Sequence, residues 1–204
     1  MSAIGKVCTG FSKPYVALYS ASSNVVTYSD GQLLARGVEV SVDPDSSDAS
    51  NFYADNVIAE TIGGQFTGGT ATLTVDGLLQ DAEKLIAGLP TADGDGFINY
   101  GNSQNTPFVG LGFIVRYLSG GSTYYTPVIL TKAILNPQSL EAATQEDEID
   151  FQTQELEFTL SRDDTTNGVW KKVGGELATE AAAELAIQEF FNIANDGGST
   201  AQSL

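Results

Sequence analysis

The stretch from residue 108 to residue 135 constrains the fold more than any other part of the chain. Residues 108–118 are apolar at almost every position, and residues 123–135 form a second run rich in β-branched and aromatic side chains. Residues 119–122, Ser-Gly-Gly-Ser, separate the two runs and tolerate the positive φ angles of a tight turn. We therefore predict a long β-hairpin. Because it is apolar on both alternating faces, it must lie at the centre of the fold with cover on each side.

The remaining strand patterns indicate that the chain is mainly β. A chain of 204 residues with 42% hydrophobic residues has the length and composition of one domain with a substantial core. Val38, Val40 and Val42 alternate with polar residues such as Glu39, as expected of a strand that is half buried. We predict an antiparallel β-sandwich or barrel. Its further strands are expected at residues 15–19, 25–28, 51–62, 70–75 and 156–160.

Two segments have helical periodicity. Leu78 to Leu89 carries one apolar stripe, with Asp76 as its predicted N-cap, and Glu176 to about residue 194 is rich in alanine, leucine and glutamate. The prediction is therefore one flanking α-helix and a C-terminal helix or tail. We divide the chain into an N-terminal arm at 1–13, a β-sandwich domain at 14–173, and a C-terminal helix with a flexible tail at 174–204.

Charge and composition exclude several functions. Nine Lys and Arg residues against 26 Asp and Glu residues give a net charge of −17, so clustered cations that could grip nucleic acid phosphates are lacking. The chain has no histidine, which excludes histidine-based catalytic triads and metal sites, and the single cysteine, Cys8, allows no internal disulfide. No signal peptide or long apolar span is evident, so we expect a protein that is made and folded in a cytoplasm. The lack of catalytic and nucleotide-binding motifs predicts that it is not an enzyme and uses no cofactor.

Two acidic segments resemble metal sites in part, but neither has the full pattern of one. Residues 93–96, Asp-Gly-Asp-Gly, resemble part of an EF-hand loop, but Thr91 and Asn102 then occupy the positions of two essential carboxylates. The cluster of Asp43, Asp45 and Asp48 fits a solvated loop better than a cation site. We therefore predict no metal site.

The order of these features resembles the major tail protein of long-tailed, non-contractile bacteriophages (siphophages) of Gram-positive hosts, whose copies build the tail tube. The resemblance extends from Tyr15 to about Val173, and its specificity lies in the order of segments that are individually simple patterns. The segments are residues 15–19, 37–41, 52–56, 79–89, 113–117, 125–133 and 149–154, followed by Trp170-Lys171.

The resemblance implies a β-sandwich subunit that forms stacked rings, which we expect to be hexameric, with an acidic lumen through which the genome passes. It implies partners: other copies of the chain, the tape measure protein, the tail terminator and the distal tail proteins. DNA would be transient, non-specific cargo, and no membrane would be involved. The location would be the virion tail, after assembly in the host cytoplasm. Independently, long strands with open edges favour pairing, and a closed ring satisfies those edges between neighbours.

Within this hypothesis, specific residues are assigned to the tube. Glu39, Asp43 and Glu60 are predicted to face the lumen. The loop from Asp43 to Asp55 is predicted to reach a neighbouring subunit, and its contact residues would be Asp45, Asp48, Phe52 and Tyr53. The alternative is a monomeric β-sandwich module that binds carbohydrate or protein, such as an adhesin or a capsid decoration protein.

Overall fold

The computed structural model describes residues 5–90, 96–97, 99–102, 104–138 and 152–194. Within these residues the chain forms ten strands and two helices. The strands of the first half are β1 (Val7–Ser22), β2 (Val25–Leu33), β3 (Gly37–Ser46), β4 (Ser50–Ala54), β5 (Val57–Ile62) and β6 (Phe66–Val75). The second half contains α1 (Gln80–Ala87), β7 (Phe108–Ser119), β8 (Ser122–Leu135), β9 (Gln154–Ser161), β10 (Lys171–Val173) and α2 (Glu180–Phe190).

The predicted central hairpin is confirmed as β7 and β8. Ser119 pairs with Ser122, and the two glycines between them have φ angles of 55° and 82°, as a type I′ turn requires. Both faces of β7 are covered. Val109, Leu111 and Phe113 point into the sandwich core, whereas the alternate position Ile114 points to the opposite side, where α2 packs.

The main sheet is antiparallel, in the order β2-β1-β7-β8-β9-β6-β3. The two layers of the sandwich are joined through β8, which belongs to both. Residues 128–130 of β8 pair with β10, whereas residues 132–135 pair with β9. Between these two parts, the register of β8 against β7 shifts, which places an extra residue in β8. The bulge lets one strand serve both layers. The predicted fold class, a mainly β antiparallel sandwich with a flanking helix, is confirmed.

Helix α1 covers one side of the sandwich core. Ala82, Ile86 and Ala87 are buried there, and Gly88 ends the helix with a left-handed φ of 62°. The predicted N-cap at Asp76 is wrong, because Leu79 occupies the cap position and makes no side-chain cap. Asp76 instead accepts a hydrogen bond from the backbone N–H of Arg36 at 3.0 Å and pairs with its guanidinium group. The Arg36 hydrogen bond lowers the pKa of the Asp76 carboxyl group.

The predicted N-terminal arm is replaced by strand over most of its length. Residues 7–12 pair with β7, and Phe11 lies opposite Val115. The sequence suggested a boundary because Pro14 cannot donate to a strand ladder. The structure resolves this with a register shift between Ser12 and Tyr15, where Lys13 has a φ of 53°. Pro14 therefore sits at an irregularity within β1 rather than at its start.

Helix α2 is shorter than predicted and packs closely on the sheet. Thr179 caps it by accepting a hydrogen bond from the backbone N–H of Ala182 at 3.3 Å. Ile187 and Phe191 are fully buried over β7. A Cβ atom placed on Gly112 would lie 2.7 Å from side-chain atoms of both residues, so this position needs glycine. Residues 195–204, predicted as a flexible tail, lie outside the described residues.

Polar contacts along β1 hold α2 in place beside this apolar contact. Lys13 forms an ion pair with Glu184 at 3.2 Å, and the Tyr15 hydroxyl donates to the same carboxylate at 2.7 Å. Gln188 donates to the Tyr15 hydroxyl at 2.9 Å. Burial, followed by the hydrogen bond to Glu184, raises the pKa of Tyr15 to about 12. The C-terminal helix is therefore joined to the first strand by both apolar and polar contacts.

Replacing Gly112 with valine should weaken the contact between α2 and β7. The new side chain overlaps Ile187 and Phe191, and overpacking of this kind costs about 1–3 kcal/mol. Urea unfolding followed by circular dichroism measures the loss in the free energy of unfolding. Gly175→Val is the control, because a Cβ atom at Gly175 has no described atom within 4 Å. Equal stability of Gly112→Val and wild type would contradict the packing of α2 described above.

Candidate assembly surface

A projecting hairpin forms the most exposed part of the described chain. β3 and β6 pair as far as Ser46 and Phe66, and the Ser47 N–H then donates to the Gln65 carbonyl at 2.8 Å. Beyond this closing pair, residues 48–64 extend as a separate two-stranded sheet of β4 and β5. We call residues 48–64 the arm. Its base is fixed by the β3–β6 ladder.

The arm is an ordered hairpin that includes the strand predicted at residues 51–62 and part of the predicted inter-subunit loop. β3 continues to Ser46, β4 begins at Ser50, and the turn lies at Asp55 and Asn56, whose φ angles are 50° and 64°. Aspartate and asparagine are the residues other than glycine that best tolerate this left-handed region. The predicted loop from Asp43 to Asp55 therefore consists mainly of strand. Alternation of polar and apolar residues did not predict the strands of this hairpin clearly, because both faces of β4 and β5 carry apolar side chains.

Every residue of β4 and β5 is exposed, although many are large and apolar. The exposed fractions of Phe52, Tyr53 and Ile62 are 65%, 62% and 68%. Cross-strand pairing places Phe52 and Ile62 on one face and Tyr53 with Ile58 on the other. A two-stranded hairpin is barely stable alone, and clustered exposed apolar groups mark interaction surfaces. The arm thus has the properties of an interface without its partner.

A second surface lies on the outward face of β3, β6 and β9. Cross-strand neighbours on this face form rows, such as Glu39 with Thr74 and Glu155. The opposite face of the same strands supplies the sandwich core. We call this outward surface the acid–threonine face. Its members are Glu39, Ser41, Asp43 and Asp45 on β3, Thr70, Thr72 and Thr74 on β6, and Glu155, Glu157 and Thr159 on β9.

The structure separates the three acids that the sequence assigned to a lumen. Glu39 and Asp43 share the acid–threonine face, whereas Glu60 lies on β5 in the arm, opposite Phe52. Sequence reasoning missed Glu155 and Glu157, which belong to this face. Their alternation with the buried residues Leu156, Phe158 and Leu160 was the signal that could have identified them.

The acid–threonine face is strongly negative, but the repulsion between carboxylates on different strands is weak. Neighbouring strands lie about 4.8 Å apart, so acids on β3 and β9 are separated by about 10 Å, close to one Debye length in physiological salt. Asn136 donates a hydrogen bond to the Glu157 carboxylate at the margin of the face. Lys132, further along β8, is neutralised by Asp164 at 2.7 Å, and its hydrogen bond lowers the pKa of that carboxyl group. The face therefore presents carboxylates and hydroxyls to solvent.

Three strands of the main sheet have an open edge within the described chain. β2 and β3 end the strand order, and β10 pairs with β8 on one side. The three differ in charge. β3 carries Glu39, Asp43 and Asp45, β2 carries Asp30, and β10 carries Lys171 and Lys172. Open edges of this kind favour pairing with another chain.

Two hollows in the described chain have acidic side chains on their walls. The smaller, of about 340 Å³, lies between β2 and the end of α2, but the Asp163 carboxylate on its wall is already occupied by Thr165 and the Val169 N–H. The larger, of about 670 Å³, lies beside α1, where the Glu83 carboxylate accepts a hydrogen bond from Tyr100. Their acidic groups serve local structure rather than converging on a common point.

The described part of the chain has neither a cluster of metal-ligating side chains nor a helix suited to crossing a membrane. The described residues contain no group of three or more metal-ligating side chains. Residues 93–95 of the segment that resembles an EF-hand loop lie outside the described residues. None of the helices within the same residues combines the length and apolarity of a transmembrane span. In comparisons with known proteins, no protein-family model and no curated protein matches the chain.

Removing the arm should leave the folded subunit intact. We expect replacement of residues 48–64 by Asn-Gly to change the free energy of unfolding by less than about 1 kcal/mol, because the β4 and β5 residues make no buried contact. Urea unfolding at low protein concentration provides the measurement. Leu73→Ala, in the core, is the reference variant and should cost about 2–5 kcal/mol. Loss of more than about 2 kcal/mol in the arm-free chain would show that the arm stabilises its own subunit.

Proposed function

We propose that the protein is a virion structural subunit that self-assembles into stacked rings and forms a phage tail tube. The observation that carries this proposal is the arm, an ordered hairpin whose large apolar side chains are all exposed. The resemblance of the sequence to siphophage tail tube proteins supplies the assembly type.

The arm supports self-association on energetic grounds. Full burial of a side chain such as Phe52 or Ile62 contributes about 1.5–3 kcal/mol, and the arm exposes several side chains of this kind. Association costs about 4–15 kcal/mol in lost freedom, so burial of the whole arm is of the size needed to offset it. A contact between an arm and a different surface of the next copy is heterologous, and heterologous contacts generate rings or filaments.

The acid–threonine face supports the role of a channel wall. Glu39, Asp43, Glu155 and Glu157 would repel a DNA backbone at close range, and threonine hydroxyls between them keep the surface wetted. A wall of this composition provides no cationic grip, so DNA would pass without being retained. Glu60 is part of the arm in this proposal and is no longer assigned to the wall.

The wider setting follows from the resemblance. The partners would be identical copies, the tape measure protein inside the tube, and the tail terminator and distal tail proteins at its ends. The protein would assemble in the host cytoplasm and function in the virion tail, with DNA as transient cargo and without catalysis. The monomeric binding module is the alternative, and the assembly experiment below separates the two.

Purified protein should form rings or tubes as its concentration rises, seen by negative-stain microscopy and sedimentation velocity. Phe52→Ser/Ile62→Ser should raise the concentration required at least tenfold, because it removes apolar area from the arm. Leu79→Ser/Leu185→Ser is the matched control, since both leucines are exposed but lie outside the arm, and it should assemble like wild type. A wild-type chain that stays monomeric at high concentration and binds a glycan would instead favour the binding module.

A charge reversal on the acid–threonine face should make assembled tubes retain DNA. We expect tubes of Glu155→Lys to hold short duplex DNA at low salt and to protect it from nuclease, because cations on an inner wall would bind phosphates. Wild-type tubes should hold none. Glu189→Lys, on the exposed side of α2, makes the same charge change elsewhere, and DNA bound to it should remain nuclease-sensitive. Equal nuclease sensitivity of DNA on both variants would contradict the wall assignment.

A further inference from the structure

We infer that the receptor for the arm is the open edge of β10 in another copy of the chain. This inference rests on the proposed self-assembly and names the surface that assembly uses. The occupant is the hairpin of residues 48–64, which is both acidic and apolar. The receiving surface is the segment of residues 171–177, which begins with Lys171 and Lys172.

The receiving edge is longer than β10 itself. After Val173 the chain stays alongside β8, where the Gly174 N–H donates to the Pro127 carbonyl at 2.8 Å. Tyr125 and Leu177 then exchange two hydrogen bonds of 2.9 Å each. Residues 171–175 are exposed, so the outward side of this segment is accessible. At about 3.3 Å per residue it offers roughly 23 Å of edge, against roughly 20 Å for the six residues of β5.

Charge selects this edge from the three that are open. No lysine or arginine occurs between Arg36 and Lys84, so the arm carries Asp48, Asp55 and Glu60 without any compensating cation in its own sequence. The β3 edge is acidic and would repel it, and β2 adds only Asp30 among charged residues. β10 presents two adjacent lysines, and the one acid of the receiving segment, Glu176, is paired with Lys6 at 3.1 Å. The acidic arm therefore has one electrostatically complementary strand edge in the described sheet.

The lysines of β10 are available for such a contact. Five of the chain's nine cationic residues form ion pairs with carboxylates: Lys6, Lys13, Arg36, Lys84 and Lys132. Lys171 and Lys172 instead lie over the rings of Trp170 and Phe190, at 5.1 and 4.8 Å from the ring centroids. Among described residues, no carboxylate pairs with either lysine. Val173, beside them, is 59% exposed and adds an apolar contact.

The contact is between copies rather than within one. Phe66, at the base of the arm, stacks on Trp170 with ring centroids 4.4 Å apart, so β10 begins beside the root of its own arm. The arm nevertheless remains exposed along both strands, so in this conformation it does not lie on its own β10. Each subunit thus carries the inserting hairpin and the receiving edge as separate surfaces, and the contact repeats from copy to copy.

Cross-linking tests the proximity directly. In a Cys8→Ser background, a tagged chain with Asn56→Cys at the arm tip is mixed under assembly conditions with an untagged chain carrying Val173→Cys, and a short bis-maleimide is added. The control is Asn24→Cys, which occupies the same turn position in the β1–β2 hairpin, with a φ of 65° against 64° for Asn56. We expect at least tenfold more tagged–untagged dimer from Asn56→Cys than from Asn24→Cys.

Charge exchange tests the electrostatic part. Lys171→Glu/Lys172→Glu should raise the concentration needed for assembly at least tenfold, and adding Asp48→Lys/Asp55→Lys/Glu60→Lys to the same chain should restore it. If wild type assembles while the cross-link is absent and the charge variants assemble normally, β10 is not the receptor and the proposed tube function stands. A further chain carries both Asn56→Cys and Val173→Cys. If the cross-link forms within this chain but not between the two singly substituted chains, the inference is also overturned. Failure of wild type to assemble removes the proposed function itself.

Discussion

The fold depends on covering both faces of the central strand β7. Its odd positions, among them Leu111 and Phe113, fill the sandwich core, and its even positions require a second apolar layer. Helix α2 supplies that layer, and Gly112 lets Ile187 and Phe191 approach the backbone closely. The bulge in β8 follows from the same demand, since this strand must serve β10 in one layer and β9 in the other. With both faces closed, the subunit has a complete core of its own.

The groups that the core does not bury, pair or neutralise lie at the periphery of the subunit. The arm exposes apolar side chains on both of its faces, three strands have an open edge within the described chain, and the acid–threonine face concentrates carboxylates on one side. None of these features stabilises an isolated subunit. All three become useful when copies associate, because apolar groups are buried, strand edges are paired, and like charges line a common space. The division between a complete core and an incomplete periphery is the physical basis of the proposed tube.

The sequence predicts the local parts of this arrangement and misses those that depend on distant contacts. The β7–β8 hairpin, the outward Glu39 and Asp43, and the class of the fold follow from alternation and turn chemistry. The first half of β1 was not predicted, because Pro14 suggested that the strand begins after it. Only the pairing with β7 shows that a bulge accommodates the proline. The sequence places Gly112 inside the predicted strand but does not explain why glycine is needed there, since its neighbour Phe191 is remote in sequence. The sequence could not show that Glu60 lies on a different surface from Glu39 and Asp43, because β4 and β5 form a separate sheet beyond the β3–β6 ladder.

The most direct test of the account is hydrogen–deuterium exchange of the arm amides, compared between dilute subunits and assembled material. An isolated, fully exposed hairpin opens easily, so its amides should exchange rapidly in the subunit while those of β7 and β8 stay protected. The account predicts at least tenfold slower exchange in residues 50–62 on assembly, with little change in the central hairpin. Unchanged exchange of the arm in assembled particles would contradict the claim that another copy completes it.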